Sequence, residues 1–300
     1  MTLLEKGDQK MSISPEIRRQ LLTFQKNEIT EHHIYRNLAR TIRSPENKHI
    51  LEAIAADELR HYQEWKAYTQ QKVNPDRFKI WKYSLISRVF GFTFGIKLME
   101  RGEEGAQDNY GQLRTAIEEA EAIARDENEH EEALIALLDE ERLRYTGSIV
   151  LGLNDALVEL TGALAGLTLA LQNTRLIALT GLITGIAAAL SMAASEYLST
   201  KSEETTKNPL RASIYTGIAY LVTVFVLILP YLLLQNFYLC LACTLVAAIL
   251  IIAFFNYYVS VAKDVPFRRR FWEMAGLSLG VAALSFAIGF LVRAFLDVDV

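Results

Sequence analysis

The chain is poor in cysteine, in net positive charge and in any apolar leader, and each shortage narrows its function. Only two cysteines occur, Cys240 and Cys243. They form a C-x-x-C inside an apolar run, Tyr238-Leu239-Cys240-Leu241-Ala242-Cys243. Redox and zinc motifs of this spacing usually sit in polar surroundings. The pair therefore reads as small buried hydrophobes, with a soft-metal or redox role as the lesser alternative. The formal net charge is -4, and no basic stripe offsets it, which argues against a general nucleic-acid binder. The N-terminus is polar and lacks the apolar core of a secretory signal. The polar half is therefore expected to stay in the cytoplasm.

The composition averages conceal two unlike halves. Residues 1–145 are dense in Glu, Lys and Arg and hold all five histidines, His32, His33, His49, His61 and His130. Residues 146–300 are mostly Leu, Ala, Ile, Val, Gly and Phe. The second half contains five apolar runs, at about 148–171, 176–199, 212–234, 237–261 and 272–296, each near the roughly 20 residues a bilayer requires. A soluble core is a poor account of five such runs in succession.

Basic residues in the short loops set the orientation. Arg142 and Arg144 precede the first run. Lys201, Lys207 and Arg211 lie between the second and third, and Lys263, Arg268, Arg269 and Arg270 between the fourth and fifth. The other side carries only Arg175 and Arg293. The first half is expected on the cytoplasmic side of a cell inner membrane, and the C-terminus outside.

Ionisable groups inside a span are costly, so they are functional candidates by default. The first run contains Asn154, Asp155 and Glu159, and the second contains Met192, Ser195 and Glu196. Asp155 and Glu159, like Met192 and Glu196, are four apart and share a helix face. Carboxylates with a thioether suit Fe²⁺, Mn²⁺ or Zn²⁺ better than Ca²⁺ or Mg²⁺. The bland alternative places Asp155 near the headgroups and Glu196 at the interface, and makes Met192 a packing residue. Gly162 and Gly166, and Gly181 and Gly185, have G-x-x-x-G spacing, which joins helices within a subunit or across a dimer.

The first half reads as four helices, at about 14–43, 45–71, 78–108 and 112–144, which by count and length is a four-helix bundle. Glu58 and His61 on the second helix, and Glu127 and His130 on the fourth, form two Glu-x-x-His pairs. A carboxylate-bridged di-metal site takes one such pair from each of two helices and a Glu from each of the others. The first helix offers Glu28 and Glu31, and the third offers Glu100, Glu103 and Glu104. Glu28 precedes Tyr35 by seven, as Glu103 precedes Tyr110. This symmetry favours Glu28 and Glu103, with Glu100 as an extra ligand. His32, His33 and His49 read as surface residues, although His32 shares a face with Glu28. The acidic run Glu129, Glu131, Glu132, Asp139, Glu140 and Glu141 reads as a solvated face rather than a relay.

These residues carry a resemblance. Gln25-Lys26-Asn27-Glu28, Tyr35-Arg36-Asn37-Leu38-Ala39, Asp57-Glu58-Leu59-Arg60-His61 and Asp126-Glu127-Asn128-Glu129-His130 resemble the rubrerythrin and ferritin-like superfamily. Gly152-Leu153-Asn154-Asp155-Ala156-Leu157-Val158 resembles the first span of the vacuolar iron transporter family. The stretch from Ala189 through Met192 and Glu196 to Ser199 resembles its second span. The whole is similar to bacterial membrane-bound ferritin fusions. The resemblance implies a dimeric, proton-coupled Fe²⁺ exporter with a di-iron centre, in which Asp155, Met192 and Glu196 line the metal path. Three departures stand out. Ala156 follows Asp155 where the transporter family's first span often has glycine, a small change. The acidic insertion that eukaryotic members carry between spans two and three is reduced to about residues 200–211. The rubredoxin cysteines of full rubrerythrins are missing.

The expected protein is thus all-α, with a cytoplasmic ferritin-like bundle (residues 1–145) ahead of a five-span membrane domain (146–300). Its expected partners are metal ions, protons, the lipid bilayer and a second copy of itself, and not nucleic acid. The leading function is export of Fe²⁺, with Mn²⁺ fitting the same donors. The rival is a membrane-anchored di-iron ferroxidase or peroxide-consuming oxidase. In a third reading the bundle only dimerises the pore.

Overall fold

A computed structural model describes residues 14–42, 44–102, 119–136, 144–203 and 207–296. The described residues contain ten helices and no strand. The contacts divide the chain into two compact units, Met1–Glu140 and Glu141–Val300.

In the first unit, α1 (Pro15–Ala39) and α2 (Pro45–Thr69) start alike. Ser14 and Ser44 accept from the backbone N–H groups of Ile17 and Asn47, with proline in the first turn of each helix. This satisfies N–H groups that a helix start leaves orphaned and presets φ. Asp76 caps α3 (Arg77–Phe90) by accepting from Phe78 N and Lys79 N. The third helix expected over 78–108 is not continuous. It breaks at Gly91, whose φ of 100° belongs to glycine, and α4 (Phe92–Arg101) follows. A methyl on Gly95 would collide with the Ser87 side chain, so close packing of α4 on α3 requires glycine there. Of the fourth helix expected over 112–144, α5 (Glu119–Ala136) is described.

Two apolar layers form on these helices. Leu21, Phe24, Trp65, Ala120 and Ile123 make one. Ile34, Tyr35, Leu38, Leu51, Ile54, Ala55, Tyr83, Ile96, Met99 and Leu134 make the other. On α1, α2 and α5 alike, a polar stretch falls between the two layers, and it contains Glu28, Glu58, His61, Glu127 and His130. The apolar periodicity of the helices is interrupted at the same depth on all three.

In the second unit, α6 (Thr146–Leu171), α7 (Thr174–Ser202), α8 (Pro209–Leu233), α9 (Phe237–Lys263) and α10 (Phe267–Leu296) are long and apolar enough to cross a membrane. Helix α6 packs against each of the other four. Its small residues permit this approach. A methyl on Gly152 would strike the Thr216 backbone of α8, and Gly162 and Gly166 face Val281, Ser285 and Gly289 of α10. Gly181 and Gly185 of α7 face Leu164, Ile228 and Val224. Both G-x-x-x-G pairs therefore serve packing within one chain. Cys240 is fully buried in the apolar cluster, and its thiol donates to the Pro230 carbonyl at 3.4 Å. Cys243 is partly buried, and both thiols are free.

Candidate metal centre

Helical spacing aims the polar layer inward. Glu58 and His61 lie three apart on α2, as do Glu127 and His130 on α5, so each pair projects from one face. Helix α1 adds Glu28. One ligand atom each from Glu28, Glu58, His61 and Glu127 lies within 4.8 Å of the others. His61 Nδ1 is 3.3 Å from Glu127 Oε1, 3.7 Å from Glu28 Oε2 and 3.9 Å from Glu58 Oε2. The other oxygen of Glu58, Oε1, is 3.4 Å from His130 Nδ1. Glu58 therefore presents one oxygen to each histidine, as a carboxylate bridging two ions would.

The outer nitrogens are held crosswise. His61 Nε2 on α2 is 3.3 Å from Asp126 Oδ2 on α5, and His130 Nε2 on α5 is 3.2 Å from Asp57 Oδ2 on α2. Arg60 ties the two aspartates together, at 2.8 Å to Asp57 and 2.9 Å to Asp126. A carboxylate on the outer nitrogen fixes the ring and leaves Nδ1 free to ligate, as metal-bound histidines usually show. The fully buried Trp65 donates to Glu28 Oε1 at 3.0 Å and fixes that carboxylate too.

The electrostatics describe a site built around positive charge. Burial pushes the Glu28 carboxyl up to about 8, with the Glu58 charge adding to it against the pull of His61. Burial also raises Glu127. His61 goes the other way: burial lowers it, but the carboxylates of Glu127, Glu28 and Glu58 outweigh burial and bring it to about 12. His130 rises to about 9 in spite of burial, chiefly through Glu58. Burial opposes the Asp57 and Asp126 charges, yet Arg60 and the histidines hold both below the ordinary carboxylate range.

Glu58 Oε2, His61 Nδ1 and His130 Nδ1 are buried with no hydrogen-bond partner. The carboxylates around them stand within ion-pair range but without aligned hydrogen bonds. Unpartnered buried polar atoms are costly, and here a carboxylate oxygen and two imidazole nitrogens share one polar layer. The nitrogen and oxygen donor set suits Fe²⁺ or Mn²⁺, and a di-metal centre fits these residues.

Other candidate positions fall differently. Glu31 is buried on α1. Glu100 lies on α4, but its side chain is outside the description, and Glu103, Glu104 and Tyr110 lie outside the described residues. Of the acidic run, Glu129 is exposed. The side chains of Glu131 and Glu132 are outside the description, as are Asp139, Glu140 and Glu141 altogether. His49 is exposed and His33 half-buried, but His32 is not a surface residue. Its Nδ1 lies 2.6 Å from the Ala55 carbonyl of α2, so it locks α1 to α2. The sequence reading passed over Asp57, Asp126, Arg60 and Trp65 as site residues. The signal for the aspartates was present: an Asp precedes the Glu in both Glu-x-x-His pairs.

In the second unit, Ser148, Asp155 and Glu159 fall on one face of α6, at separations of seven and four. Asp155 is half-buried and Glu159 exposed. Tyr220 of α8 donates to Glu159 at 2.8 Å, and Ser148 donates to Glu196 near the end of α7. Glu159 and Tyr220 border a cavity of about 460 Å³, where Thr180, Thr184 and Ser285 supply hydroxyls. Met192 is partly buried against the apolar cluster.

No curated protein matches the chain. Five helices fit to cross a membrane make this a multi-pass membrane protein. Its residues 146–208, which contain Asp155, Glu159, Met192 and Glu196, match the VIT family, a match that implies membrane transport of iron or manganese.

Proposed function

We propose that the protein is a proton-coupled exporter of Fe²⁺, with Mn²⁺ as a second cargo, that works as a homodimer in the cell inner membrane. Its ferritin-like unit (residues 1–145) faces the cytoplasm, and its VIT-type membrane domain covers residues 146–300. The observation that carries this reading is the pairing, in one chain, of the Glu28–Glu58–His61–Glu127 cluster with a segment that matches the VIT family and places acids inside its spans. Glu28, Glu58, His61, Glu127 and His130 would hold the metal, with Glu100 and Glu103 as further ligands. A bound iron pair would supply redox chemistry. The protein's part there is to bind or sense the metal for homeostasis and detoxification. Asp155, Glu159, Met192 and Glu196 form the path, and an intramembrane carboxylate can hold either metal or a proton.

The test is Fe²⁺ and Mn²⁺ flux into proteoliposomes with an internal pH dye, for wild type and Asp155→Asn. Metal movement opposed by proton movement, lost in the variant, supports the exporter. Absence of flux together with metal-dependent oxygen or peroxide consumption would favour an anchored di-iron oxidase. That second reading draws on the ligand cluster, whose donor atoms all come from the N-terminal unit.

A further inference from the structure

Among the described residues of the N-terminal unit, the exposed large hydrophobic side chains all lie on one helix, α3. They are Phe78, Trp81, Leu85 and Val89, from 42% to 69% exposed. Their spacing of three, four and four makes a single stripe. The opposite face is committed to the fold, since Tyr83 and Ser87 are buried and Ile80 and Ile86 pack on the core. The helix also carries Arg77, Lys79, Lys82 and Arg88 and has no acidic residue. By helical spacing Lys79 and Lys82 flank one side of the stripe, and Arg77 and Arg88 flank the other. Arg77, Lys82 and Arg88 are exposed.

We propose that α3 is an interfacial helix that lies on the anionic lipid surface of the bilayer the same chain spans. The stripe enters the boundary between headgroups and acyl chains, Trp81 sits at headgroup level, and the flanking cations meet lipid phosphates. A basic amphipathic helix with aromatic anchors has this property. A stripe this concentrated on a freely soluble surface marks an interaction site or an aggregation liability.

A second copy is the weaker occupant. A twofold interface would set α3 against itself, with the exposed Arg77, Lys82 and Arg88 facing the same three and no acid on the helix to answer them. An anionic surface supplies the opposite sign. The bilayer is also always at hand, because the five spans belong to the same chain, so tethering raises the effective concentration of even a weak surface contact.

The test uses the full chain with Cys240→Ala and Cys243→Ala, carrying a nitroxide at Leu85→Cys or, as a control, at the exposed Glu52→Cys. Each is reconstituted in vesicles of phosphatidylcholine and phosphatidylglycerol. The expected result is a Leu85 label open to oxygen but shielded from a water-soluble nickel chelate, and a Glu52 label with the reverse pattern. The shielding should weaken in pure phosphatidylcholine and with Lys82→Glu and Arg88→Glu combined. A Leu85 label as open to nickel as the control overturns the proposal. So does a label shielded from both reagents with spin–spin broadening, which assigns the stripe to a second copy. A second measurement leaves both cysteines in place: quenching of tryptophan emission by lipids brominated near the headgroup, compared between wild type and Trp81→Phe. Loss of one quenched component in the variant supports the proposal, and an unchanged quenched fraction overturns it.

Discussion

In the N-terminal unit Glu58 is 1% exposed, and its two oxygens face two histidines that are themselves held by Asp126 and Asp57. In the membrane unit Glu159 is exposed, and the partner seen for it is one hydroxyl, that of Tyr220. The first arrangement is dense. Acids, histidines and an arginine balance one another inside a single unit, and metal would complete a layer already oriented. The second is sparse. Asp155 and Glu159 stand along one face of α6, and Glu159 borders a cavity rather than filling one. Dense charge suits retention and sparse charge suits passage, because a carrier must release what it binds.

Variants that collapse this contrast are the sharpest tests. Glu58→Ala should have the largest effect, since it strips both histidines of their shared carboxylate. Fe²⁺ affinity of the N-terminal unit, measured by calorimetry on the full chain, should fall by more than about 100-fold, beyond the ordinary loss for an outer partner. An affinity near that of wild type would show that Glu58 does not hold the metal. Asp155→Asn should do the reverse. Flux in proteoliposomes is lost while calorimetry still finds the N-terminal site intact, and flux at the wild-type rate would remove Asp155 from the path.

Asp57→Asn and Asp126→Asn should be milder, each weakening metal affinity by about 10- to 100-fold through loosened His130 or His61. Equal losses in the two would confirm the crosswise arrangement. A loss from one alone would mean the two half-sites are unequal. Tyr220→Phe should be the smallest, since hydrogen bonds between membrane helices are worth about 1 kcal/mol or less. Flux should change by only a few-fold, and complete loss would mean that Tyr220 itself handles the cargo.

Much of the acid–histidine layer was legible in the chain. Two Glu-x-x-His pairs at helical spacing, with Glu28 on a third helix, name the five residues that the fold draws together, because i and i+3 share a face whatever the packing. The aspartates were legible only as letters. Asp57 and Asp126 each precede a glutamate of the cluster, but each holds the histidine of the other helix, and no spacing within one helix encodes that. His32 misled for a related reason. Its polar neighbours suggest a surface, yet the approach of α1 to α2 brings the Ala55 carbonyl within 2.6 Å. The break in the third helix is not legible in the sequence, because a lone glycine in a helical pattern is usually tolerated. At Gly91 it is not, since the backbone turns and α4 packs on α3 through Gly95.

The sequence by itself determined the all-α class, the five membrane-capable helices and the shared face of each Glu-x-x-His pair, because apolar runs and helical periodicity are local properties of a chain. Tertiary structure alone decided which carboxylate orients which histidine, that both G-x-x-x-G pairs pack within one subunit, and that the apolar stripe of α3 is left outside the core. Each depends on the distance between segments far apart in the chain, which is set by how side-chain volumes fit between helices.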